Sequence, residues 1–230
     1  NIGYLSEERG LYPKYNVLEQ MNYFASLKGL KKSETKKSID YLFDRLKINE
    51  YRKMKAEQLS KGNQQKVQMM AALLSEPQLL ILDEPLSGLD PVNTDLFKSI
   101  IREEIGKGKY LIMSSHQMAT IEEFCKDITI LNRGKAVLQG DLNEIKKGYG
   151  RVNMIVKCEE AFSDLIEKHG LPIVNETPDG TQLKVTGEEQ AHAFLEDLLK
   201  ENKKVIRFDL REPSLHEIFV EKAGEAHEEE

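Results

Sequence analysis

The sequence predicts an α/β protein with a parallel sheet core, a helical subdomain and a small C-terminal α+β domain. Two apolar runs, LLIL at 79–82 and YLIM at 110–113, each end in polar residues, as central parallel strands buried on both faces do. The helix-forming segment DLFKSIIREEIGKGK lies between them and supplies a crossover connection. Around Gly148–Gly150 the pattern becomes strand, helix, hairpin, helix and strand, a βαββαβ order that predicts a second domain.

Composition narrows the classes of protein that fit. The chain has 230 residues, a length that is enough for one large domain or for one medium domain with a small appendage. Its net charge is −6. The acidic balance gives no bulk electrostatic reason to bind nucleic acid, and the longest apolar runs are far shorter than the roughly 20 residues that cross a bilayer. Cys125 and Cys158 have no paired or metal-type spacing, which predicts free thiols in a reducing cytosol.

The N-terminal stretch predicts a strand followed by two helices. IGYL at 2–5 has the pattern of a short buried strand, and apolar residues at helical spacing predict helices from Val17 and over 34–46. The lysine-rich link between them, KGLKKSETKK, predicts a solvated loop and helix start. Because the chain starts directly at a strand without an initiator Met, we expect a cut end rather than a natural one.

LSKGN at 59–63 predicts the start of a helix that runs to Ser75. Ser60 is a natural N-cap, Gly62 lets a phosphate approach the backbone, and Lys61 adds positive charge to a helix N-terminus that already favours anions. An ordinary helix cap explains the same residues equally well, so this stretch alone does not identify a site.

LLILDE places Asp83 at the carboxyl end of a buried strand, where open α/β sheets hold their ligands. Asp83 there suits Mg²⁺, which binds few carboxylates and keeps its waters. Glu84 suits the orientation or deprotonation of a water that attacks a γ-phosphate. The alternative is a strand end that polar residues merely cap.

SGLDP at 87–91 predicts a tight polar turn before the crossover helix, and a simple loop is the alternative. His116 closes the second central strand, at the same sheet edge as Asp83 if the strands are parallel. A histidine at that edge can donate a hydrogen bond to a γ-phosphate, whereas a lone histidine is more often structural.

The C-terminal half predicts a hairpin over 128–140 and then the small α+β domain. We expect an ATPase domain over 1–148, with a helical subdomain at 8–58 and the remaining catalytic core at 77–145. The accessory domain is expected at 149–222, with a packing role, and a disordered acidic tail at 223–230.

The order LSKGNQQ, LLILDEP, SGLD and a strand-terminal His116 resembles the ATP-binding cassette (ABC) ATPases, the motor subunits of ABC transporters. In this resemblance 59–63 matches the signature motif, 79–84 the Walker B strand, 87–90 the D-loop and His116 the switch histidine. Glu7 occupies the position where the family usually has the Gln of its Q-loop. The implied fold is P-loop NTPase-like (RecA-like), and incomplete.

Some residues depart from the common pattern. Lys61 and Asn63 replace the Gly and Gln of LSGGQ, and these changes, with Glu7 and the ending PSLHEIFVEKAG, are similar to the sodium-efflux-type exporter branch. A P-loop motif, GxxxxGK followed by Ser or Thr, is absent from the 230 residues. We therefore expect an N-terminally truncated cassette with little ATPase activity alone, whose apolar strands lack normal neighbours and promote association.

The resemblance implies ATP and Mg²⁺ as cofactors, sandwiched between two cassettes. It implies Asp83 for the metal, Glu84 and His116 for catalysis, and a nucleotide-contacting set made of Glu7, Leu59, Ser60, Lys61, Gly62, Asn63, Gln64, Ser87, Gly88 and Asp90. Ser60 and Gly62 would contact the γ-phosphate that the partner subunit holds.

The implied partners are a second ABC ATPase subunit and a transmembrane permease, with no nucleic acid. The implied location is cytoplasmic, peripheral on the inner face of the cell membrane, and the implied function is export, with Na⁺ as a candidate cargo. Two alternatives stay open: a soluble ABC-type ATPase of translation or DNA repair, and a catalytically inactive regulatory cassette.

Overall fold

A three-stranded parallel sheet organises the N-terminal half of the chain. The computed structural model describes residues 2–8 and 10–228, with side chains described as far as residue 222. Strands β1 (Ile2–Leu5), β2 (Leu79–Asp83) and β3 (Tyr110–Ser114) pair in the order β1-β2-β3, all parallel. The predicted parallel core is confirmed, although β3 ends two residues before His116.

The sheet has one covered face and one open face. Gly3, Leu5, Leu80 and Leu82 are buried on the covered side. On the other side the side chains of the two outer strands, Ile2, Tyr4, Tyr110 and Ile112, are 54–74% exposed, and Leu79 and Ile81 between them are half-buried. The expectation that β3 is buried on both faces is therefore wrong.

The expectation that the apolar strands lack sheet neighbours is also wrong for β2. This strand is central, with β1 on one side and β3 on the other, so its backbone groups are paired along both edges. Association of the chain, if it occurs, would then use the exposed apolar side chains of the open face rather than unpaired edges of β2.

Three helices pack against one another, and the third of them also packs against β1: α1 (Val17–Leu27), α2 (Lys32–Arg45) and α3 (Lys61–Leu73). Asn16 caps α1 through a reciprocal capping box, in which its Oδ1 accepts the N–H of Glu19 at 2.8 Å and its own N–H donates to Glu19 Oε2 at 3.2 Å. The two predicted helices are thus present, with α2 starting and ending slightly earlier than expected.

The crossover helix α4 (Pro91–Gly106) is tied to α2 by a charged cluster. Arg45 Nε lies 2.9 Å from Glu103 Oε2, and the Tyr41 hydroxyl donates to Glu103 Oε1 at 2.7 Å. Hydrogen bonds from Lys107, Tyr41 and Arg45 lower the pKa of Glu103 to about 2, so the carboxylate stays ionised and holds both helices at neutral pH.

The remaining elements form a second compact unit, because the chain divides into Asn1–Gln117 and Met118–Glu230. It opens with α5 (Met118–Phe124), the antiparallel hairpin β4 (Asp127–Asn132) and β5 (Lys135–Asp141), and α6 (Leu142–Tyr149). The hairpin predicted over 128–140 is confirmed.

The βαββαβ order that follows is confirmed as well. It consists of β6 (Asn153–Cys158), α7 (Ser163–Lys168), β7 (Ile173–Thr177), β8 (Gly180–Lys184), α8 (Glu188–Lys200) and β9 (Val205–Arg211). The four strands form one antiparallel sheet in the order β7-β8-β6-β9. Its core contains Met154, Val156, Leu183, Phe194 and Leu198.

The limits of the C-terminal unit differ from those expected. The predicted boundary lay between residues 148 and 149, but α5 and β5 pack against the last helix, α9 (Leu215–Glu228), and so group with the later elements. The expectation of a disordered tail is wrong for the backbone up to Glu228, which continues α9, and residues 229–230 lie outside the described part of the chain.

Within the described residues, no helix has both the length and the apolar character that crossing a bilayer requires.

A substitution at Gly3 tests the packing of β1 against α3. A Cβ at this position would overlap the Ala72 carbonyl oxygen and approach Leu80 and Pro77 side-chain carbons to 2.8 Å. We expect Gly3→Ala to lower the free energy of unfolding in urea by about 1–3 kcal/mol, the usual cost of overpacking. Gly106→Ala is the control, since a Cβ there meets nothing within 4 Å and should raise stability by up to about 1 kcal/mol. Equal effects at the two glycines would contradict this account.

Candidate active site

The signature stretch forms a capped helix N-terminus. Ser60 is extended, its carbonyl accepts the N–H of Gln64 at 2.9 Å, and its Oγ accepts the N–H of Asn63 at 3.3 Å. The predicted N-cap is confirmed. Leu59 is buried just before the cap, whereas Lys61 opens the first turn of α3 at the protein surface.

Two glutamines fasten this helix to its surroundings. Gln64 Nε2 donates to the Ala56 carbonyl at 2.7 Å, while its buried Oε1 has no partner in the described part of the chain. Gln65 Nε2 donates to the Pro85 carbonyl at 2.8 Å. The signature helix is therefore bonded directly to the residue that follows Glu84.

Asp83 lies where the sheet places it, at the carboxyl end of β2 and opposite Ser114 in register. The Ser114 hydroxyl donates to Asp83 Oδ1, which leaves Oδ2 without a partner among the described residues. One carboxylate oxygen is thus positioned by the neighbouring strand, and the other is available to a ligand.

Glu84 has a strained backbone and a held side chain. Its φ is +46°, a left-handed value that a residue with a Cβ adopts at a cost. Its N–H donates to the Ser114 carbonyl at 3.2 Å, and its carboxylate accepts the backbone N–H of His116 at 2.7 Å. The Ser115 hydroxyl adds a weak contact of 3.5 Å to Glu84 Oε2. These bonds keep the left-handed turn in place.

Glu84 and His116 also meet through their side chains. His116 Nδ1 lies 2.9 Å from Glu84 Oε1, with the imidazole 70% exposed and the carboxylate only 15% exposed. An ionised carboxylate only accepts hydrogen bonds, so this contact places a proton on Nδ1. A ring that donates to Glu84 through Nδ1 must turn away from the carboxylate before Nδ1 can donate to a ligand instead.

The polar turn after Glu84 leads into α4. The N–H of Ser87 donates to the Glu84 carbonyl at 3.1 Å, and Gly88 has a φ of +69°, which favours glycine. Asp90 caps α4 by accepting the N–H of Asn93 at 3.0 Å, and this bond is the main cause that lowers the pKa of Asp90.

The same turn lies beside the signature helix. A Cβ added at Gly62 would come within 3.6 Å of Asn93 Nδ2 and 3.7 Å of Leu89 Cδ2, which are ordinary contacts. Packing within the chain therefore does not demand a glycine at this position. Burial lowers the pKa of Lys66 in α3, and the negative charge of Asp90 opposes that shift.

Glu7 follows β1 in an exposed bend, at the same carboxyl edge as Asp83 because the strands are parallel. Gln68 Nε2 of α3 donates to the neighbouring Glu8 carbonyl at 3.1 Å, which holds the bend. Arg9 lies outside the described residues.

The structure thus brings the selected residues together in two groups. Asp83, Glu84 and His116 meet at the sheet edge, and Ser60 to Gln64 lie beside the turn that contains Asp90. Sequence reasoning missed Gln65, Asn93, Ser114 and Ser115. The two serines directly precede His116, so the shared sheet edge was a signal for them.

The donor set suits Mg²⁺ rather than a soft metal. The described residues contain no group of three or more His, Cys, Asp or Glu side chains that would hold an ion by themselves. A single positioned carboxylate such as Asp83, with hydroxyl and carboxylate oxygens nearby, matches an ion that keeps several waters and takes further oxygens from a phosphate.

Two family models match the chain. The model described as "ABC transporter" matches residues 1–87, which contain Glu7, the signature stretch, Asp83 and Glu84. The model described as "ATP-binding protein DrrA1-3-like, C-terminal domain" matches residues 140–223. His116 lies between the two matches.

Relatives with the same description match over almost the whole chain. An uncharacterised ABC transporter ATP-binding protein of Bacillus subtilis, YhaQ, is 43% identical over 99% of this chain and 76% of its own length. Another from Alkalihalophilus pseudofirmus is 41% identical over 98% of this chain and 84% of its own.

A solved structure titled as the ATP-binding subunit of an ABC transporter shares the fold of part of the chain. It aligns with a TM-score of 0.60 and 30% identity, covering 64% of this chain and 61% of its own. The predicted resemblance and the predicted fold class are both confirmed.

Substitutions at Glu84 test the strain at this turn. Because glycine adopts a positive φ without cost, Glu84→Gly should change the free energy of unfolding by less than about 1 kcal/mol, with relieved strain offsetting the lost bonds. Glu84→Val should lower it by about 2 kcal/mol or more, since a β-branched residue is an outlier at this φ. At the helical control Glu196 the order should reverse, with glycine costing more than valine. Chemical denaturation measures all four variants, and the same order at both sites would count against strain at Glu84.

Proposed function

This chain belongs to the family of ABC transporter ATP-binding proteins, and from that premise we propose that it couples ATP hydrolysis to export through a separate transmembrane permease. The observation that supports hydrolysis is the meeting of Asp83, Glu84 and His116 at the carboxyl edge of the sheet. The Glu84 carboxylate lies 2.9 Å from the His116 ring and follows Asp83, an aspartate suited to a metal ion. These are the groups that attack of water on a phosphate requires.

Each of the three residues takes a separate role. Asp83, through the Oδ2 to which no described residue donates, would hold a Mg²⁺ ion, which would supply charge stabilisation to the phosphates of ATP when bound. Glu84 orients the attacking water and accepts its proton. His116, whose ring is largely exposed, reaches the γ-phosphate.

The contact between Glu84 and His116 adds a condition to this assignment. In the present arrangement the Glu84 carboxylate is occupied by the backbone and ring of His116 and by Ser115. Rotation of the exposed His116 ring toward a phosphate frees Glu84 Oε1 from the Nδ1 contact while the backbone bond still orients the carboxylate. Binding of ATP would thereby free Glu84 to act as the base and bring His116 to the γ-phosphate as a hydrogen-bond donor in one movement.

The signature residues serve an ATP held by another subunit. The N-terminus of α3 carries the favourable end of the helix dipole, and Ser60, Lys61 and the accessible backbone at Gly62 suit a γ-phosphate approaching from outside the chain. Leu59, Asn63 and Gln64 support that turn, while Ser87, Gly88 and Asp90 shape the adjacent surface. We therefore assign a second ABC ATPase subunit as partner.

Little turnover is expected from these 230 residues alone, because no GxxxxGK[ST] motif occurs in them to hold the phosphates. The alternative of an inactive regulatory cassette is less well supported, since such a protein has no use for an ordered contact between Glu84 and His116.

Sodium is the cargo that the resemblance favours, because Glu7, Lys61 and Asn63 depart from the common cassette motifs in the way that the sodium-efflux-type branch does.

An exposed aromatic cluster suits the permease. Tyr12 lies at the centre, with ring centroids about 6 Å from those of Tyr15, Tyr23 and Phe24, and the three tyrosines are 47–59% exposed. Buried Gln20 fixes the tyrosine loop by accepting the N–H of Tyr12 at 2.8 Å and donating to the Tyr15 carbonyl at 3.0 Å. Rigid exposed aromatic rings are typical interface anchors, so this cluster supports a peripheral location beside a membrane partner.

Substitution of Ser60 tests the role of the signature helix. Aspartate and asparagine both replace serine well as N-caps, so neither Ser60→Asp nor Ser60→Asn should change the melting temperature appreciably. The charge of aspartate opposes a γ-phosphate, so Ser60→Asp should weaken ATP-dependent association with a P-loop-bearing cassette subunit at least about tenfold relative to Ser60→Asn. Sedimentation velocity with and without ATP measures this. Equal association of the two variants would refute the assignment.

Replacement of two tyrosines tests the partner. We expect Tyr12→Ser with Tyr23→Ser to reduce capture of transmembrane permease subunits from detergent-solubilised membranes about tenfold, the usual effect of removing anchor residues. Tyr110→Ser, which removes an exposed ring from the open sheet face, is the control and should leave capture unchanged. Recovery of ribosomes or DNA instead of a permease would favour the soluble alternative.

A further inference from the structure

A cluster of lysines joins the end of α1 to the start of α2. We call it the basic turn, and it consists of Lys28, Lys31, Lys32, Lys36 and Lys37. Residues 27–40 carry these five lysines against two acids, a local charge of +3 in a chain whose net charge is −6. The cluster is therefore a local reversal of the charge of the whole molecule.

The fold does not use most of this charge. Lys28 Nζ donates to the Ala71 carbonyl at 3.1 Å, but the other four ammonium groups contact no carboxylate in the described part of the chain. The two nearby acids bind groups other than these ammonium ions. Glu34 accepts the backbone N–H of Lys31 at 2.9 Å, and Asp40 binds Arg52 at 2.7 Å.

The position of the lysines is unfavourable for α2 itself. Lys31 is the N-cap residue and Lys32 the first helical residue, at the end where the helix dipole favours negative charge. Lys32 and Lys36 are four residues apart, so these like charges face each other on one side of the helix. No contact among the described residues compensates for this unfavourable placement, which points to an anionic partner outside the chain.

The shape around the lysines is also fixed. Gly29 has a φ of +74°, and the N–H of Leu30 donates to the Ala25 carbonyl at 3.0 Å, which closes the end of α1. Leu27, just before the turn, is 66% exposed. The chain thus presents an apolar side chain next to a group of exposed lysines on a backbone turn that hydrogen bonds hold.

We propose that the basic turn binds an anionic lipid surface, with Leu27 entering the interfacial region. Lysines are compact point charges without the rigid fork by which arginine recognises one phosphate, and Lys31, Lys32, Lys36 and Lys37 are all exposed. That chemistry matches a fluid layer of anionic headgroups, each lysine adding about fivefold to partitioning, and an exposed leucine adds affinity that salt does not screen.

Vesicle co-sedimentation of this chain tests the proposal. We expect binding to vesicles of phosphatidylcholine with about one third phosphatidylglycerol, weak binding to phosphatidylcholine alone, and release in high salt. The test variant replaces Lys31, Lys32, Lys36 and Lys37 by Gln and should bind at least about 100-fold more weakly. The matched control removes the same charge from the second unit, at Lys135, Lys168, Lys200 and Lys204, and should bind like the unchanged chain.

Two further measurements keep the outcomes distinct. The melting temperature of the test variant should not fall, because the lysines oppose the helix dipole, and a marked fall would show that they are structural and overturn the argument. Leu27→Ser should weaken vesicle binding severalfold while leaving its salt dependence unchanged.

The unchanged chain binding a polyglutamate peptide but not the anionic vesicles would identify an acidic protein as the partner and refute the lipid proposal. Equal vesicle binding by the test and control variants would also refute it. None of these readouts involves ATP, so the proposal can fail while the signature assignment holds.

Discussion

In-register parallel pairing of β2 with β3 is the constraint on which the site depends. Because Asp83 pairs with Ser114, the residues that follow on the two strands, Glu84 and Ser115–His116, emerge side by side. A slip of one residue would turn every side chain to the opposite face and set Asp83 against Met113. The backbone hydrogen bonds between these two apolar strands therefore set the positions of Asp83, Glu84 and His116, and the polar side chains then add contacts to that arrangement.

The turn after β2 links the sheet edge to helix α3. Glu84 adopts a left-handed φ, Ser114 and His116 hold it there, and Gln65 of the signature helix bonds to the next residue, Pro85. A displacement of α3 is consequently transmitted to the backbone beside the proposed base. This route would connect the surface proposed to meet a partner's ATP with the residue proposed to act on this chain's own, and its first link, from Gln65 to the Pro85 carbonyl, is a single hydrogen bond that substitution can remove.

The two surfaces of the helical region differ in physical character. The aromatic cluster around Tyr12 is rigid, because Gln20 bonds to the loop from inside, and suits a protein partner. The basic turn offers four exposed lysines that no carboxylate neutralises among the described residues, and suits a fluid anionic layer. The C-terminal unit is unlike both, since its apolar side chains close around Phe194 and Leu198 in a core of their own, consistent with the packing role expected for it.

The sequence by itself determined the strands, the cap at Ser60 and the family, because buried strands, helix caps and motif order are local patterns. It could not determine which sheet face stays open, how far α9 extends, or where packing divides the chain, because these depend on contacts between distant segments. The contact of Glu84 with His116 likewise belongs to tertiary structure alone, as does the absence of carboxylate partners for Lys31, Lys32, Lys36 and Lys37 among the described residues. Residue type fixes what a side chain can bind, but only the folded chain decides which of its neighbours it has already bound.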